Sequence, residues 1–185
     1  MPKTKESNKH MKTNDRPLTD LMKAVKRGAA QLPDFQRGWV WDDEHIKALI
    51  LSVIHNFPVG AAMFLEYGNE SIHFKHKPIE GSDAHPDIEP DELILDGQQR
   101  LTSLYNALYS KNAVHTKTDK GKEIDRYYYL NIEKALDPSA DNEEIVISIP
   151  ATRQVTSEFG RKIEMDLSNR QDEFKLKMFP LNIIL

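Results

Sequence analysis

The segment that most constrains the fold runs from Glu92 to Ser110. Glu92 to Leu95 is a short, mostly apolar run typical of a strand, and Asp96-Gly97-Gln98-Gln99-Arg100 follows it directly. Apolar residues then recur at helical spacing and predict a helix with one buried face: Leu101, Leu104, Tyr105 and Leu108. The sequence therefore predicts a strand over 92–95 and a helix over 98–110, with a polar turn where the strand gives way to the helix.

The turn at Asp96–Arg100 has the composition of an anion-binding turn. The first N–H groups of a helix have no partner inside it, and the helix dipole is positive there, so an anion is favoured. Gly97 lets a backbone approach a ligand closely, Arg100 offers a fork of donors suited to phosphate, and Gln98 and Gln99 donate and accept. An ordinary Asp-Gly turn with a surface arginine has the same residues, so the pattern alone leaves both interpretations open.

A second polar segment, Gln36-Arg37-Gly38-Trp39-Val40-Trp41, precedes Asp42, which is a good N-cap for an amphipathic helix ending near Asn56 and Pro58. Both tryptophans of the chain lie here, two residues apart, which places them on one side of an extended segment. That spacing favours anchoring on the core over a stacking platform for a base. We interpret Arg37 as a ligand-binding residue.

The remaining patterns indicate the fold class. A short helix is expected with Thr19 as its cap and Gly28 at its end, followed by a strand over 29–32. A mostly buried strand over 61–67 is expected to turn at Gly68-Asn69 into a second strand over 71–74, and further strands are expected over 126–132 and 145–149. Helices interleaved with short strands and a hairpin predict an α+β (mixed α/β) fold with a small mixed sheet and packed helices.

Composition excludes several classes of function. The chain has 185 residues, enough for one domain with a sizeable core, and no cysteine, so disulfides, thiolate metal sites and cysteine nucleophiles are excluded. The net charge of −4 disfavours DNA binding as the sole function, and any contact with DNA would need a concentrated local patch. No apolar run is long enough to span a bilayer and no secretory signal is present, so we expect a cytoplasmic protein without a membrane partner.

The expected domain organisation has three parts. The polar, lysine-rich residues 1–16 predict a disordered tail, and residues 17–150 form the main domain. Residues 151–185 are expected to begin a following segment. The chain ends on the apolar Leu-Asn-Ile-Ile-Leu, whereas termini are usually polar, so we expect this segment to be truncated.

Three separated stretches, Leu32 to Trp41, Asn56 to Gly60 and Asp96 to Leu104, resemble in order and spacing the N-terminal domain of GmrSD-type modification-dependent restriction enzymes. The resemblance covers roughly residues 18–135, and the BREX-linked BrxU enzymes and phosphorothioate-sensing SspE effectors share this domain. It implies a ParB/sulfiredoxin-like fold that binds a nucleoside triphosphate (GTP, UTP or ATP), with Mg²⁺, and hydrolyses it in active members. It further implies phage defence, with DNA, modified in some cases, as a partner.

The resemblance also assigns roles to residues. Asp96 and Arg100 are expected to act in hydrolysis, and the nucleotide is expected to be bound by Gln36, Arg37, Gly97, Gln98, Gln99 and Arg100. No metal site made of protein side chains alone is expected. The nuclease is expected in a C-terminal region or partner subunit of the His-Asn-His type, which nothing in this chain matches, and a homodimer is a further expected assembly.

Two alternatives stay open. The domain is a ParB-like module that reads DNA or senses its modification without hydrolysis, in which case the same groups bind DNA phosphates. Otherwise it is a scaffold that binds neither ligand. The absence of cysteine excludes sulfiredoxin chemistry in every case.

Overall fold

The computed structural model describes residues 13–68 and 74–185, and within them the chain forms six α-helices and ten strands. The helices are α1 (Leu18–Lys26), α2 (Asp43–Ile54), α3 (Gln98–Leu108), α4 (Ile132–Leu136), α5 (Asn142–Ile145) and α6 (Arg170–Lys175). The strands are β1 (Ala30–Pro33), β2 (Met63–Glu66), β3 (His76–Lys77), β4 (Glu92–Asp96), β5 (Val114–Lys117), β6 (Glu123–Asn131), β7 (Val146–Pro150), β8 (Gln154–Ser157), β9 (Lys162–Asp166) and β10 (Met178–Pro180). Two short 3-10 helices follow β8 and β10. This mixture confirms the predicted α+β class.

The first sheet is small and mixed, with strand order β2-β4-β1-β3. β4 runs parallel to β1 and antiparallel to β2, and β3 is antiparallel to β1. In this register Met63, at the start of β2, lies opposite Asp96, at the end of β4. The chain just before β2 is therefore brought to the same edge of the sheet as the polar turn.

The second sheet is built around β6, the longest strand. β6 pairs antiparallel with β5 at its beginning, with β7 along its middle and with β10 at its end. β8 and β9 form a separate antiparallel hairpin. Residues 151–185 thus return to the second sheet through β10. The predicted domain boundary at residue 150 stays a prediction.

Helix α3 joins the two main apolar cores. Leu101 and Tyr105 belong to the core under the first sheet, while Leu104 and Leu108 belong to the core shared with α2 and the second sheet. Because the helix lies between two cores, more than its predicted apolar face is buried, including Thr102 and Ser103. The position of its N-terminus is therefore fixed by packing on both sides.

Several predictions of local structure were wrong. α1 begins at Leu18 with Pro17 at the N-cap position and without a side-chain cap, so Thr19 lies inside the helix. The strand expected to be mostly buried over 61–67 is β2, whose two end residues are exposed, because β2 is the edge of its sheet. The helix predicted over 98–110 ends at Leu108.

Other predictions fall on residues outside the described part of the chain. These are most of the predicted tail, residues 1–12, and most of the second hairpin strand, residues 71–73; Phe74 is described and is not in a strand. Arg16, the last residue of the predicted tail, forms an ion pair with Glu92. Across residues 13–68 and 74–185, no helix is long and apolar enough to cross a membrane.

Candidate functional site

The polar turn leaves the N-terminus of α3 uncapped. Gly97 occupies the N-cap position with φ of 90°, a left-handed conformation suited to glycine, and no side chain caps the helix among the residues described. The first intrahelical bond runs from the N–H of Leu101 to the Gly97 carbonyl, at 2.9 Å. The N–H groups of the three preceding residues consequently have no helical acceptor, as a bound anion requires.

The 36–41 segment, Gln36 to Trp41, is held across this turn by glutamine side chains. Gln98 Nε2 donates to the Arg37 carbonyl at 2.7 Å. Gln99 makes two bonds, accepting from the Val40 N–H at 2.9 Å and donating to the Gly38 carbonyl at 3.1 Å. In return, Gln36 Nε2 donates to the carbonyls at the end of β4. The glutamines therefore fix the position of the 36–41 segment.

The tryptophans anchor the same segment, as their spacing predicted. Trp39 and Trp41 are half-buried and pack on the core that contains α2. The Trp39 Nε1–H donates to Ser103 Oγ at 3.0 Å, and the Trp41 carbonyl accepts from Thr116 Oγ1 at 2.8 Å. Arg37, by contrast, is exposed and forms no ion pair with any described residue. Its backbone carbonyl is what contacts the turn, through Gln98.

Arg100 holds a second segment against the turn, which we call the 57–62 segment (Phe57 to Ala62). The guanidinium donates to the carbonyls of Val59 and Ala61, the latter at 2.8 Å, and lies 3.4 Å from Asp96 Oδ2. The family resemblance included Asn56 to Gly60, but the sequence analysis assigned no role to this segment. The residue that could have indicated one is Gly60: in the structure its φ is +87°, and Arg100 leaves no space beside it for a Cβ.

The charges of the turn favour an anion. The guanidinium of Arg100 and the positive end of α3 lie beside Asp96, whose side chain is 71% exposed and whose carboxylate is, at 3.4 Å, at a long distance for an ion pair. A second carboxylate, Glu80, is held on the 36–41 segment, where it accepts from the Trp39 N–H at 2.9 Å. The structure thus brings together all the predicted residues, Gln36, Arg37 and 96–100. Four of them, Gln36, Gln98, Gln99 and Arg100, use their side chains within the protein, so Gln98 and Gln99 can present only their backbone N–H groups to a ligand.

The start of α2 fixes the far end of the 36–41 segment. Asp42 accepts from the His45 N–H at 2.9 Å, as predicted for an N-cap, and although partial burial acts to raise its pKa, the hydrogen bonds from His45 lower it overall. Asp43 is buried and accepts from Tyr128 Oη at 2.8 Å and from Ser148 Oγ at 2.7 Å. Burial, together with the Asp43 charge, raises the pKa of Tyr128, so this phenol remains a donor.

A cleft of about 600 Å³ lies on the other side of the 36–41 segment. Trp39, Trp41, Asn106 and Lys117 are among its lining residues, and none of the residues 96–100 lines it. This cleft is therefore separate from the polar turn.

Comparison with known proteins identifies the family of the chain. Residues 18–180 match the family described as GmrSD restriction endonuclease, N-terminal domain. The chain belongs to this family. It is also 32% identical over 171 residues to the uncharacterized protein MJ0686 of Methanocaldococcus jannaschii, covering 90% of this chain and 28% of that relative. The family prediction is confirmed, and the match extends beyond the predicted span to include β10.

Proposed function

We propose that this domain binds a nucleoside triphosphate at the Asp96–Arg100 turn and serves a modification-dependent DNA restriction protein in phage defence. The observation that carries the proposal is the uncapped N-terminus of α3, with the Arg100 guanidinium beside it and the exposed Arg37 on the adjoining 36–41 segment. Helix N-termini and arginine are the common means by which proteins bind phosphate. Membership of the GmrSD family supplies the biological setting.

In this proposal each residue of the turn has a separate role. The N–H groups of Gln98, Gln99 and Arg100 donate to phosphate oxygens, and Gly97 provides the close approach. Arg100 neutralises charge on the phosphates as it builds up during transfer, and Asp96 orients Arg100 or the attacking water. Arg37 adds a second cation from the 36–41 segment.

Magnesium fits this site as a companion of the nucleotide. Mg²⁺ is usually bound by one or two carboxylates together with substrate phosphates, and Asp96 is an exposed carboxylate at the turn. Elsewhere among the described residues, no group of three or more acidic or histidine side chains is arranged to hold a metal. When bound, Mg²⁺ would supply charge neutralisation on the phosphates.

The proposed restriction activity extends beyond this chain, which spans 28% of the length of its relative. We therefore propose that nucleotide binding here controls a nuclease region or subunit outside it.

Calorimetric titration with ATP, GTP, UTP and CTP in the presence of Mg²⁺ tests the proposal. Arg37→Ala is the most informative variant, because that side chain is exposed and its loss leaves the described packing intact. Losing a hydrogen bond to a charged group costs about 1.5–3 kcal/mol, so Arg100→Ala should weaken binding roughly 10- to 100-fold and Arg37→Ala somewhat less. Arg170→Ala, an exposed arginine on α6, is the matched control.

If Arg37→Ala and Arg100→Ala bind the nucleotide as tightly as the wild type does, the nucleotide binds elsewhere. A folded wild type that binds none of the four nucleotides would refute the proposal.

The exposed Arg37 also favours a second candidate, contact with DNA phosphates by the same turn. Binding through phosphates weakens steeply with salt, because counterions are released. For this candidate we expect the protein to retain a DNA duplex at low salt. The retention should decrease as the salt concentration rises, and Arg37→Ala should reduce it.

A further inference from the structure

We propose that the 57–62 segment is a cover over the phosphate site, closed by Arg100, and that a phosphate opens it by taking the Arg100 guanidinium from the Val59 and Ala61 carbonyls. The inference rests on the proposed function, because it names a phosphate-bearing ligand at the same turn. It adds a regulatory element, and a role for Gly60, that the function alone does not require.

The first observation is how Arg100 is used. Its two terminal nitrogens donate to the backbone carbonyls of Val59 and Ala61, so the fork that suits a phosphate is occupied by the protein itself. A carbonyl is neutral, whereas a phosphate is charged and forms the stronger bond with a guanidinium. A triphosphate at the helix N-terminus therefore competes for the same donors.

The second observation is where the segment lies. A Cβ on Gly97 would meet the Cβ of Ala62 at 3.1 Å, so the segment lies directly against the N-cap residue of α3. The register of β2 on β4, with Met63 opposite Asp96, keeps it there. The same segment thus contacts Gly97 and occupies Arg100.

The third observation is that little else holds the segment. From residue 58 to residue 61 the described chain makes no backbone–backbone hydrogen bond. At one end Asn56 has a left-handed φ of 55°, and at the other the β2 ladder is irregular between Met63 and Phe64. The Val59 side chain does pack on the core. Opening is therefore a local rotation of the peptide groups around Gly60, during which the Val59 side chain stays packed on the core.

Gly60→Ala is the variant that should release the 57–62 segment from Arg100. An added Cβ would overlap Arg100 Nη1, so the guanidinium has to leave the carbonyls. Gly121→Ala is the matched control, because Gly121 also has a positive φ, +79°, but has open space around it. Both variants carry the backbone strain, and only Gly60→Ala disturbs Arg100.

The probes are inorganic tripolyphosphate and ATP with Mg²⁺, and the readouts are calorimetric affinity and the ¹³C chemical shifts of the Val59 and Ala61 carbonyls, which accept from Arg100. We expect either probe to move these carbonyl shifts in the wild type, because the hydrogen bonds from Arg100 are lost. In Gly60→Ala those bonds should already be lost without ligand, so the probes should not move the carbonyl shifts further. This variant should also bind about three- to tenfold more tightly, because the competing closed state is removed. Gly121→Ala should match the wild type in both readouts.

The outcomes distinguish this inference from the proposed function. Binding to the wild type with the carbonyl shifts unchanged, or binding that is equal or weaker in Gly60→Ala, overturns the cover and leaves nucleotide binding standing. Failure of the wild type to bind either probe overturns both proposals.

A second variant keeps the test decisive if Gly60→Ala does not fold. Arg100→Lys keeps the charge but loses the fork that reaches two carbonyls. Without ligand, its Val59 and Ala61 carbonyl shifts should differ from those of the wild type, because the two bonds are lost, and wild-type carbonyl shifts in that variant would overturn the cover.

Discussion

Replacing Gln99 by glutamate tests whether the side chains of α3 hold the 36–41 segment in place. In the wild type, Gln99 Nε2 donates to the Gly38 carbonyl at 3.1 Å and Oε1 accepts from the Val40 N–H at 2.9 Å. Glutamate has nearly the same shape and no donor. The variant therefore keeps the bond from Val40 and sets a carboxylate oxygen against the Gly38 carbonyl.

The expected loss of stability follows from these two contacts. A lost neutral hydrogen bond costs about 0.5–1.5 kcal/mol, and two facing acceptors add to it, for a total of about 1–2 kcal/mol. For a domain of this size, each kcal/mol lowers the unfolding temperature by about 2–4 °C, so we expect a decrease of about 2–8 °C.

Tryptophan fluorescence reports this segment directly, because both tryptophans of the chain lie in it. Release of the segment should expose Trp39, whose Nε1–H is bonded to Ser103, and shift the emission to longer wavelength. Gln171→Glu, on the exposed face of α6, makes the same change of charge away from the segment and is the control. If Gln99→Glu has the emission maximum and the unfolding temperature of the control, the reasoning about the glutamine contacts is refuted.

Two further predictions concern the start of α2. Asp42→Ala removes the cap on the His45 N–H and should cost about 1 kcal/mol at neutral pH. The pKa of Asp42 is lowered in the folded state, so the difference in stability between the wild type and Asp42→Ala should be full above the ordinary pKa of 3.8 and should shrink as the pH falls through the folded pKa. Thermal unfolding at several pH values checks this, and a difference that does not change with pH would contradict it. Asp43→Ala leaves the buried hydroxyl of Tyr128 and the half-buried hydroxyl of Ser148 without their acceptor and should cost about 2–3 kcal/mol in urea unfolding. The cost should be smaller in a Tyr128→Phe background, and equal costs in both backgrounds would show that the hydroxyl contact is not responsible.

The sequence was most informative where a local pattern decides the structure. The apolar run of β4, the left-handed Gly97 and the apolar residues of α3 each determine their own conformation. The same holds for Asp42 as an N-cap and for the paired tryptophans as anchors. These elements gave the position of the turn and the residues around it.

Local patterns carry little information on what a flexible polar side chain will bond. That Gln98 and Gln99 bind backbone groups about sixty residues away depends on how β4, α3 and the 36–41 segment meet in three dimensions. The contact of Arg100 with the Val59 carbonyl has the same cause. The exposure of β2 follows from its place at a sheet edge, and the pairing of β10 with β6 joins residues almost fifty positions apart.

The burial of α3 between two cores has a consequence for how such a domain changes its ligand. A substitution within the helix disturbs packing on both sides, so the helix tolerates little variation. The 36–41 and 57–62 segments cross its N-terminal end and contribute few residues to either core. Altered ligand preference, in natural divergence or in directed evolution, should therefore arise from substitutions in those two segments, around a helix end that stays where it is.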